Sequence, residues 1–306
     1  MRVFLTGATG FLGRRVLAEL LSSGHTPRCL IQRDEPDDLI DVLPDPIGDR
    51  PRVEFVTGDL FADNGVPEDA ATGCDAVIHL VGPLRPQPRR NRGFARMIIG
   101  GTEAVLGAAR RGGVARVIHV SAIGAMPEST SEFHRAKGQA EISVQSSGTA
   151  WTIVRPSLLL GTGGIDLDRC FLPLTGGHLA PRTRSVSHRF QPIGVEDVAH
   201  GLVNALERSQ TEGLACEAGG VDVLTLGEML ELRGAARGLS VRFVRVPPSV
   251  TRISGLGKTL PKLQTLMRAR ARCDDPEPFW LAFGVTPKPA SVLLREIESA
   301  SELRGD

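Results

Sequence analysis

Eight residues near the start of the chain, Thr6-Gly7-Ala8-Thr9-Gly10-Phe11-Leu12-Gly13, restrict its fold more than any other feature. They follow a short apolar run, Val3-Phe4-Leu5, and open a stretch of helical periodicity, so a strand has to turn sharply into a helix here. In such a turn Gly7 permits the tight reversal, Gly10 lets backbone approach a pyrophosphate, and Gly13 lets the helix pack closely on the strand. The free N–H groups and positive dipole at the helix N-terminus complete an anion site. Gly7, Thr9, Gly10, Phe11, Leu12 and Gly13 are therefore cofactor-binding candidates, and the ligand they suit is a dinucleotide.

Downstream, short β-branched runs at 3–5, 28–31, 53–56, 76–80, 116–120 and 152–154 alternate with helical patterns at 11–22, 94–111 and 132–145. That alternation predicts an α/β fold: a doubly wound parallel sheet of Rossmann type, covered by helices on both faces. Gly24 suits the C′ position of the first helix. After Pro156 the chain becomes rich in glycine and proline as far as Pro192. A helix at 196–207 and a strand near 214–217 should then return to the sheet. The expected organisation is a dinucleotide domain at 1–160, rejoined by 192–220. Residues 161–191 and 221–306 should form a smaller substrate or partner lobe, with an amphipathic stretch at 226–234 and a basic helix around 263–272.

Composition narrows the function classes. Lys and Arg number 36 against 35 Asp and Glu, a net charge of +1, so no global field recruits nucleic acid or an anionic surface. The five cysteines, Cys29, Cys74, Cys170, Cys216 and Cys273, contain no C-x-x-C pair and are odd in number, which argues against a disulfide framework or a metal site. A strand pattern directly after Met1-Arg2 leaves no room for a leader, and even the apolar run 151–160 is interrupted by Arg155-Pro156. A cytoplasmic location with no transmembrane segment is expected. The chain contains no tyrosine.

The end of the second strand meets the adenosine ribose, where a carboxylate suits a 2′-hydroxyl and an arginine suits a 2′-phosphate. Arg33 stands there, followed by Asp34 and Glu35, and Arg14 just past the last glycine could join it around a phosphate. NADP is accordingly preferred over NAD, the bland alternative being two solvated surface charges.

Taken together these segments resemble the atypical short-chain dehydrogenase/reductases along nearly the whole chain. Thr57-Gly58-Asp59-Leu60 is similar to that family's loop after the third strand, which places Asp59 and Leu60 near adenine. His79-Leu80-Val81-Gly82 is similar to the turn after the fourth strand, which implies Leu80, Val81 and Gly82 beneath the cofactor. Arg116-Val117-Ile118-His119-Val120-Ser121-Ala122 resembles the strand leading to the catalytic serine. Trp151-Thr152-Ile153-Val154-Arg155-Pro156-Ser157 resembles the strand whose end, at Pro156, meets the nicotinamide. Gln191-Pro192-Ile193 with Asp197-Val198-Ala199 is similar to the segment that returns to the main domain. Within the superfamily the resemblance points to the group that holds the NADPH-binding accessory subunit of respiratory complex I and its bacterial relatives, with Val246-Pro247-Pro248 and Phe283-Gly284-Val285 as further likenesses.

That resemblance brings a conflict with it. The ordinary reductases use Tyr-x-x-x-Lys on one helix face, where the lysine lowers the phenol pKa so that the phenol can exchange a proton. Here the stretch is Phe133-His134-Arg135-Ala136-Lys137, and phenylalanine has no proton to give. No other tyrosine can replace it. Ser121 and Lys137 remain as catalytic candidates. Lys137 could hold the nicotinamide ribose, and could act in proton transfer if burial lowered its pKa from about 10.4. His134 titrates in a suitable range, but helix geometry turns it about 100° from position 133.

Two functions follow as expectations. One is an NADP(H)-dependent reductase of a small organic substrate that uses Lys137 without the tyrosine. The other is a non-catalytic NAD(P)H-binding protein with a structural, assembly or redox-sensing role and a protein partner. His79 and His119 in apolar strands suit satisfied core positions. Arg85, Arg89, Arg90 and Arg92 suit a solvated loop, and Arg268, Arg270 and Arg272 form a basic run without the interleaved aromatics of a nucleic-acid site. The 161–168 loop lacks the ending of a P-loop and is expected to line the substrate cleft.

Overall fold

A computed structural model describes residues 1–32, 39, 53–62, 65–86, 93–165, 167–171, 179–182, 184–245, 263 and 265–304. Seven parallel strands form the central sheet: β1 (Arg2–Thr6), β2 (Thr26–Ile31), β3 (Glu54–Thr57), β4 (Ala76–His79), β5 (Arg116–Val120), β6 (Ala150–Pro156) and, after four short strands, β11 (Leu214–Ala218). Their spatial order is β11-β6-β5-β4-β1-β2-β3, so the winding reverses between β1 and β4. In a doubly wound sheet that reversal opens a crevice at the carboxyl ends of the strands, and ligands bind there. Every residue of β4 and β5 is buried, as a sheet covered on both faces requires.

Helix α1 (Phe11–Ser22) buries Leu12, Val16, Leu17 and Leu20 on one stripe against the sheet. It ends at Gly24, whose φ of 74° and N–H bond to the Leu21 carbonyl make the left-handed stop expected from the sequence. α3 (Glu132–Gln145) matches the predicted span. The predicted helix 94–111 is two pieces. A widened π turn (Ala95–Gly100) precedes α2 (Gly101–Arg111), and the Gly100-Gly101 pair, with the weakest helix preference, marks the join. α4 (Val195–Asn204) lies against α1 and, with α6 (Glu277–Phe283), covers the same face of the sheet: Val198 and Leu202 share a cluster with Phe279 and Phe283.

The short strands pair outside the main sheet: β7 (Leu159–Leu160) with β10 (Ile193–Gly194), β8 (Leu179–Pro181) with β13 (Arg242–Val244), and β9 (Arg189–Phe190) with β12 (Leu224–Thr225). A second apolar cluster unites them with α5 (Leu226–Ala236) and α7 (Ala290–Arg304) through Leu160, Phe171, Phe190, Met229, Leu230 and Leu294. α5 begins with a capping box between Thr225 and Glu228. Arg233, buried on α5, clamps Asp168 with two bonds of 2.9 and 2.8 Å and reaches Glu298 on α7 at 2.6 Å. This pins Asp168 to α5, and through Arg233 to α7.

The basic run is not a helix. Leu266 is the last helical residue, and 268–274 is turn and extended chain with Arg268, Arg270 and Arg272 exposed while Ala271 and Cys273 are buried. Arg-Ala-Arg-Ala-Arg-Cys alternates with period two, the strand period, and that alternation outweighs helix propensity once a surface is present for the small residues to face. No helix of the described residues is long and apolar enough to cross a membrane.

Candidate functional site

The crevice at the winding reversal is a cleft of about 570 Å³. Of the residues picked out in the sequence, Gly7, Thr9, Gly10, Phe11, Leu12, Gly13, Leu60, Leu80, Val81 and Gly82 all line it. Its floor is set by contacts that leave no space for side chains. A Cβ at Gly13 would stand 1.9 Å from the Gly7 carbonyl oxygen, and Gly7 itself adopts φ of +85°. α1 has no side-chain cap at Gly10, and the first N–H groups of a helix lack intrahelical acceptors. Those donors face a cleft of dinucleotide size, so the residues present fit a bound pyrophosphate.

At the end beside β2 and β3 the cleft is lined by Gly58, from the quoted Thr57-Gly58-Asp59-Leu60 segment, and by Leu30, Ile31, Gln32 and Phe61, which were not among the candidates. Gln32 was legible as the first residue after β2. Its amide donates to Asp59 Oδ1 at 3.0 Å, and the same oxygen accepts from the Phe61 N–H at 3.0 Å. Asp59 therefore shapes the loop from behind, and does not line the cleft. Arg33 lies outside the described residues, as do Arg89, Arg90, Arg92 and 246–248. Arg14 is outside the cleft lining, its Nε donating to the Thr9 carbonyl at 3.3 Å. At the other end the cleft adds Pro83 and Met97, the latter brought in by the π turn, which the predicted helix 94–111 did not distinguish from α-helix.

Lys137 and Ser121 lie just behind this end. Lys137 is 2% exposed, and its Nζ donates to the Val120 carbonyl at 2.8 Å. A Cβ on Gly82 would stand 2.3 Å from that Nζ, so the absence of a side chain at Gly82 admits the amine under the turn after β4. Burial pushes the Lys137 pKa down to about 8, against a smaller upward pull from Glu141 one helical turn on. Glu141 is itself held by Arg155, at 2.9 and 2.5 Å. Ser121 is anchored through its N–H to the Val154 carbonyl at 2.8 Å, while its buried hydroxyl has no partner among the described residues.

Phe133 is buried among Ile98, Ala122 and Ala136, with its ring edge-on to Phe94 at 5.6 Å. His134 is buried too, and burial pushes its pKa down to about 4, so it is neutral at physiological pH and carries little proton traffic. Its Nδ1 is 2.8 Å from Ser131 Oγ. His79 bridges Thr6 Oγ1 at 2.6 Å and Thr102 Oγ1 at 3.2 Å, the satisfied core position expected of it. His119 stacks on His79 with ring centroids 5.2 Å apart, and neither of its nitrogens has a partner among the described residues, contrary to that expectation. The 161–168 loop, expected at the substrate side, instead lays Gly164 on the Phe11 ring, where a Cβ would approach to 2.6 Å. It borders the cleft at Phe11, beside the glycine turn.

Pro156 does not line the dinucleotide cleft. It belongs to a small cavity beyond Ser121, about 10 Å³ and no larger than a water, lined also by Ile123, Ser157, Leu158, Phe190, Leu266 and Arg270.

Comparison with known proteins agrees with this geometry. Residues 7–209 match the model of a family described as NAD(P)H-binding. A ceramide reductase of Caulobacter vibrioides is 34% identical over 249 residues, covering 80% of this chain and 73% of that protein. Subunit 9 of the NADH dehydrogenase alpha subcomplex from Arabidopsis thaliana mitochondria is 32% identical over 252 residues, 79% of this chain, and the chain spans 59% of the length of that subunit. A short-chain dehydrogenase/reductase superfamily protein from Agrobacterium tumefaciens with bound NAD superposes with a TM-score of 0.69 at 19% identity, covering 99% of this chain and 98% of that one, a likeness of fold. The glycine turn, the parallel sheet that carries it and the family match over 7–209 make this chain a member of the NAD(P)H-binding family.

Proposed function

We propose that the protein is an NADP(H)-dependent reductase of a small carbonyl substrate in which Lys137 supplies the proton and Ser121 orients the carbonyl oxygen. The observation that carries this reading is the buried Lys137 amine, tuned to about 8 and packed under the cofactor turn beside an unpartnered Ser121 hydroxyl. When bound, the dinucleotide supplies a hydride to the carbonyl carbon. The chain supplies the rest. Ser121 donates its O–H to the carbonyl oxygen, the Lys137 ammonium gives a proton to that oxygen as the alcohol forms, and the neutral amine recovers its proton from water. An amine near pKa 8 is still mostly protonated at neutral pH and gives up its proton more readily than a solvated lysine, which suits a general acid. Arg14 and Arg33 are assigned to the 2′-phosphate, and the lobe of 221–306 to the substrate side. The family relationship to a ceramide reductase supports the reaction class.

The test is NADPH oxidation across a panel of ketones and aldehydes, with Lys137→Met alongside. Turnover should fall by about 100-fold or more in the variant while NADPH affinity falls by less than about tenfold. Equal loss of both would make Lys137 a binding residue only. NADPH should bind about tenfold tighter than NADH, and Arg14→Ala should erase that margin.

A second reading has its own observation. Phe133 fills the tyrosine position with a ring locked in an apolar cluster, and a complex I subunit is among the relatives, so the protein could hold the dinucleotide for a protein partner without turnover. Phe133→Tyr separates the two. If it raises carbonyl reduction, the site retains reductase geometry. If neither form turns over and a stable partner copurifies, the binding role stands.

A further inference from the structure

One segment crosses the ends of three adjacent strands on the side where the substrate would lie. Thr265 Oγ1 donates to the carbonyl of Leu84, in the loop after β4, at 3.0 Å. Ala269 lies against Gly124, in the loop after β5, where a Cβ would come within 2.6 Å of the Ala269 Cβ. The Ala271 carbonyl accepts from Ser157 Oγ, just past β6, at 2.7 Å, and the Cys273 N–H donates to Gln191 Oε1 at 3.0 Å. Leu266 packs into the cluster that holds Phe133 and Ala122. Leu266, Arg270 and Ala271 of the segment border the 10 Å³ cavity with Ile123, Pro156 and Ser157.

Leu266 and Met267 anchor its start on the neighbouring apolar clusters, but beyond them its inward residues are small, Ala269, Ala271 and Cys273, whereas Arg268, Arg270 and Arg272 are exposed. Small residues bury little apolar area, so the part from 268 on is held mainly by a few hydrogen bonds and by Arg270, which pairs with Glu217 at 2.5 Å and with Asp274. None of its residues lines the dinucleotide cleft. Ser121 is 5% exposed, while the dinucleotide cleft is open with the segment in place.

We propose that residues 265–273 form a strap that closes the substrate side of the site and opens as a unit, without unfolding the sheet, to admit the substrate beside the bound dinucleotide. The inference rests on the reading that puts the substrate carbonyl at Ser121, but opening is measured without turnover, so failure of one is distinguishable from failure of the other. Weakly held segments open at lower free energy than the core they cover, and their opening is visible in the exposure of buried groups.

Cys273 on the strap and Cys29 in β2, both buried, provide the measurement. In the full chain carrying Cys74→Ala, Cys170→Ala and Cys216→Ala and saturated with NADPH, reaction with an aromatic disulfide reagent should modify Cys273 at least about tenfold faster than Cys29. Arg270→Ala should raise the Cys273 rate severalfold further while leaving the Cys29 rate and NADPH affinity unchanged. If the triple variant does not fold, hydrogen exchange of the Cys273 and Cys29 amides in the unmodified protein gives the same comparison. Equal rates for the two residues, moving together with denaturant and unaffected by Arg270→Ala, would show that 265–273 opens only with global unfolding and would overturn the proposal. Strap opening as described, combined with no carbonyl reduction at all, would retain the strap and remove the reductase.

Discussion

The dinucleotide half and the substrate half of this site are built on opposite principles. In the first, backbone lies against backbone: Gly13 on Gly7, with helix N–H groups facing an open cleft of about 570 Å³. In the second, side chains and a crossing segment fill the space, leaving about 10 Å³ against Pro156 and Ser157. A cofactor pocket can be rigid because its ligand is always the same, whereas access to a reacting carbonyl has to be gated against water. The contrast therefore predicts sensitivity to small changes in the first half and tolerance of large ones in the second.

The largest effect belongs to Gly13→Ala. Its Cβ would meet the Gly7 carbonyl at 1.9 Å, a clash of backbone with backbone that neither partner can relieve by changing rotamer. NADPH affinity should drop by about 100-fold or more, with a stability loss of about 1–3 kcal/mol, read by fluorescence titration and thermal melting. Affinity retained within threefold would erase the contrast.

Lys137→Met comes next and has a pH signature. The Lys137 pKa is lowered from 10.5 to about 8 in the folded state, chiefly by burial. Below pH 8 both states hold the proton, and the burial penalty is present in full. Between about 8 and 10.5 the unfolded chain binds more protons than the folded one, so this group makes stability rise with pH across that window. The methionine variant should be the more stable of the two at pH 7, and the gap should narrow toward pH 10. Under the reductase reading wild-type turnover should be flat below pH 8 and fall above it. A gap constant from pH 7 to 10 in chemical denaturation would mean that the amine is solvated.

On the substrate side, Gly124→Ala should displace the strap through contact with Ala269 and through φ of +80°. A cost of about 1–2 kcal/mol is expected, with NADPH affinity unchanged within twofold. A large affinity loss would join the two halves that the structure separates. The smallest effect is expected at Arg15→Ala, which removes bonds of 3.0 Å to Glu196 and 2.9 Å to the Thr162 carbonyl at the protein surface. Less than about 1 kcal/mol should be lost, and the ion-pair part should vanish in high salt.

How much of this was legible follows the same division. The glycine turn, β1, α1 and α3 could be placed from sequence, because their signals are local: spacing of apolar residues, a glycine at a helix end, alternation of strands with helices. Ten of the cleft-lining residues were named for the same reason. Gln32, which lines the cleft directly after β2, was not named, since the position of a strand end is the least local part of a strand. Asp59 was named, yet its carboxylate is engaged with Gln32 and Phe61. The run at 263–272 was read as a helix although its Arg-Ala alternation has the period of an extended chain, because a period of two has meaning only where there is a surface to lie on.

By itself the sequence determined that a dinucleotide-binding sheet forms and that position 133 has no phenol, since both are properties of residue type at fixed spacing. Only the tertiary structure decided that Lys137 is buried beneath Gly82 with its pKa near 8, that Ser121 has a hydroxyl unpartnered among the described residues, and that a segment about 130 residues beyond Lys137 lies across the ends of β4, β5 and β6. Desolvation and close approach depend on which distant surfaces meet, and no local spacing encodes that.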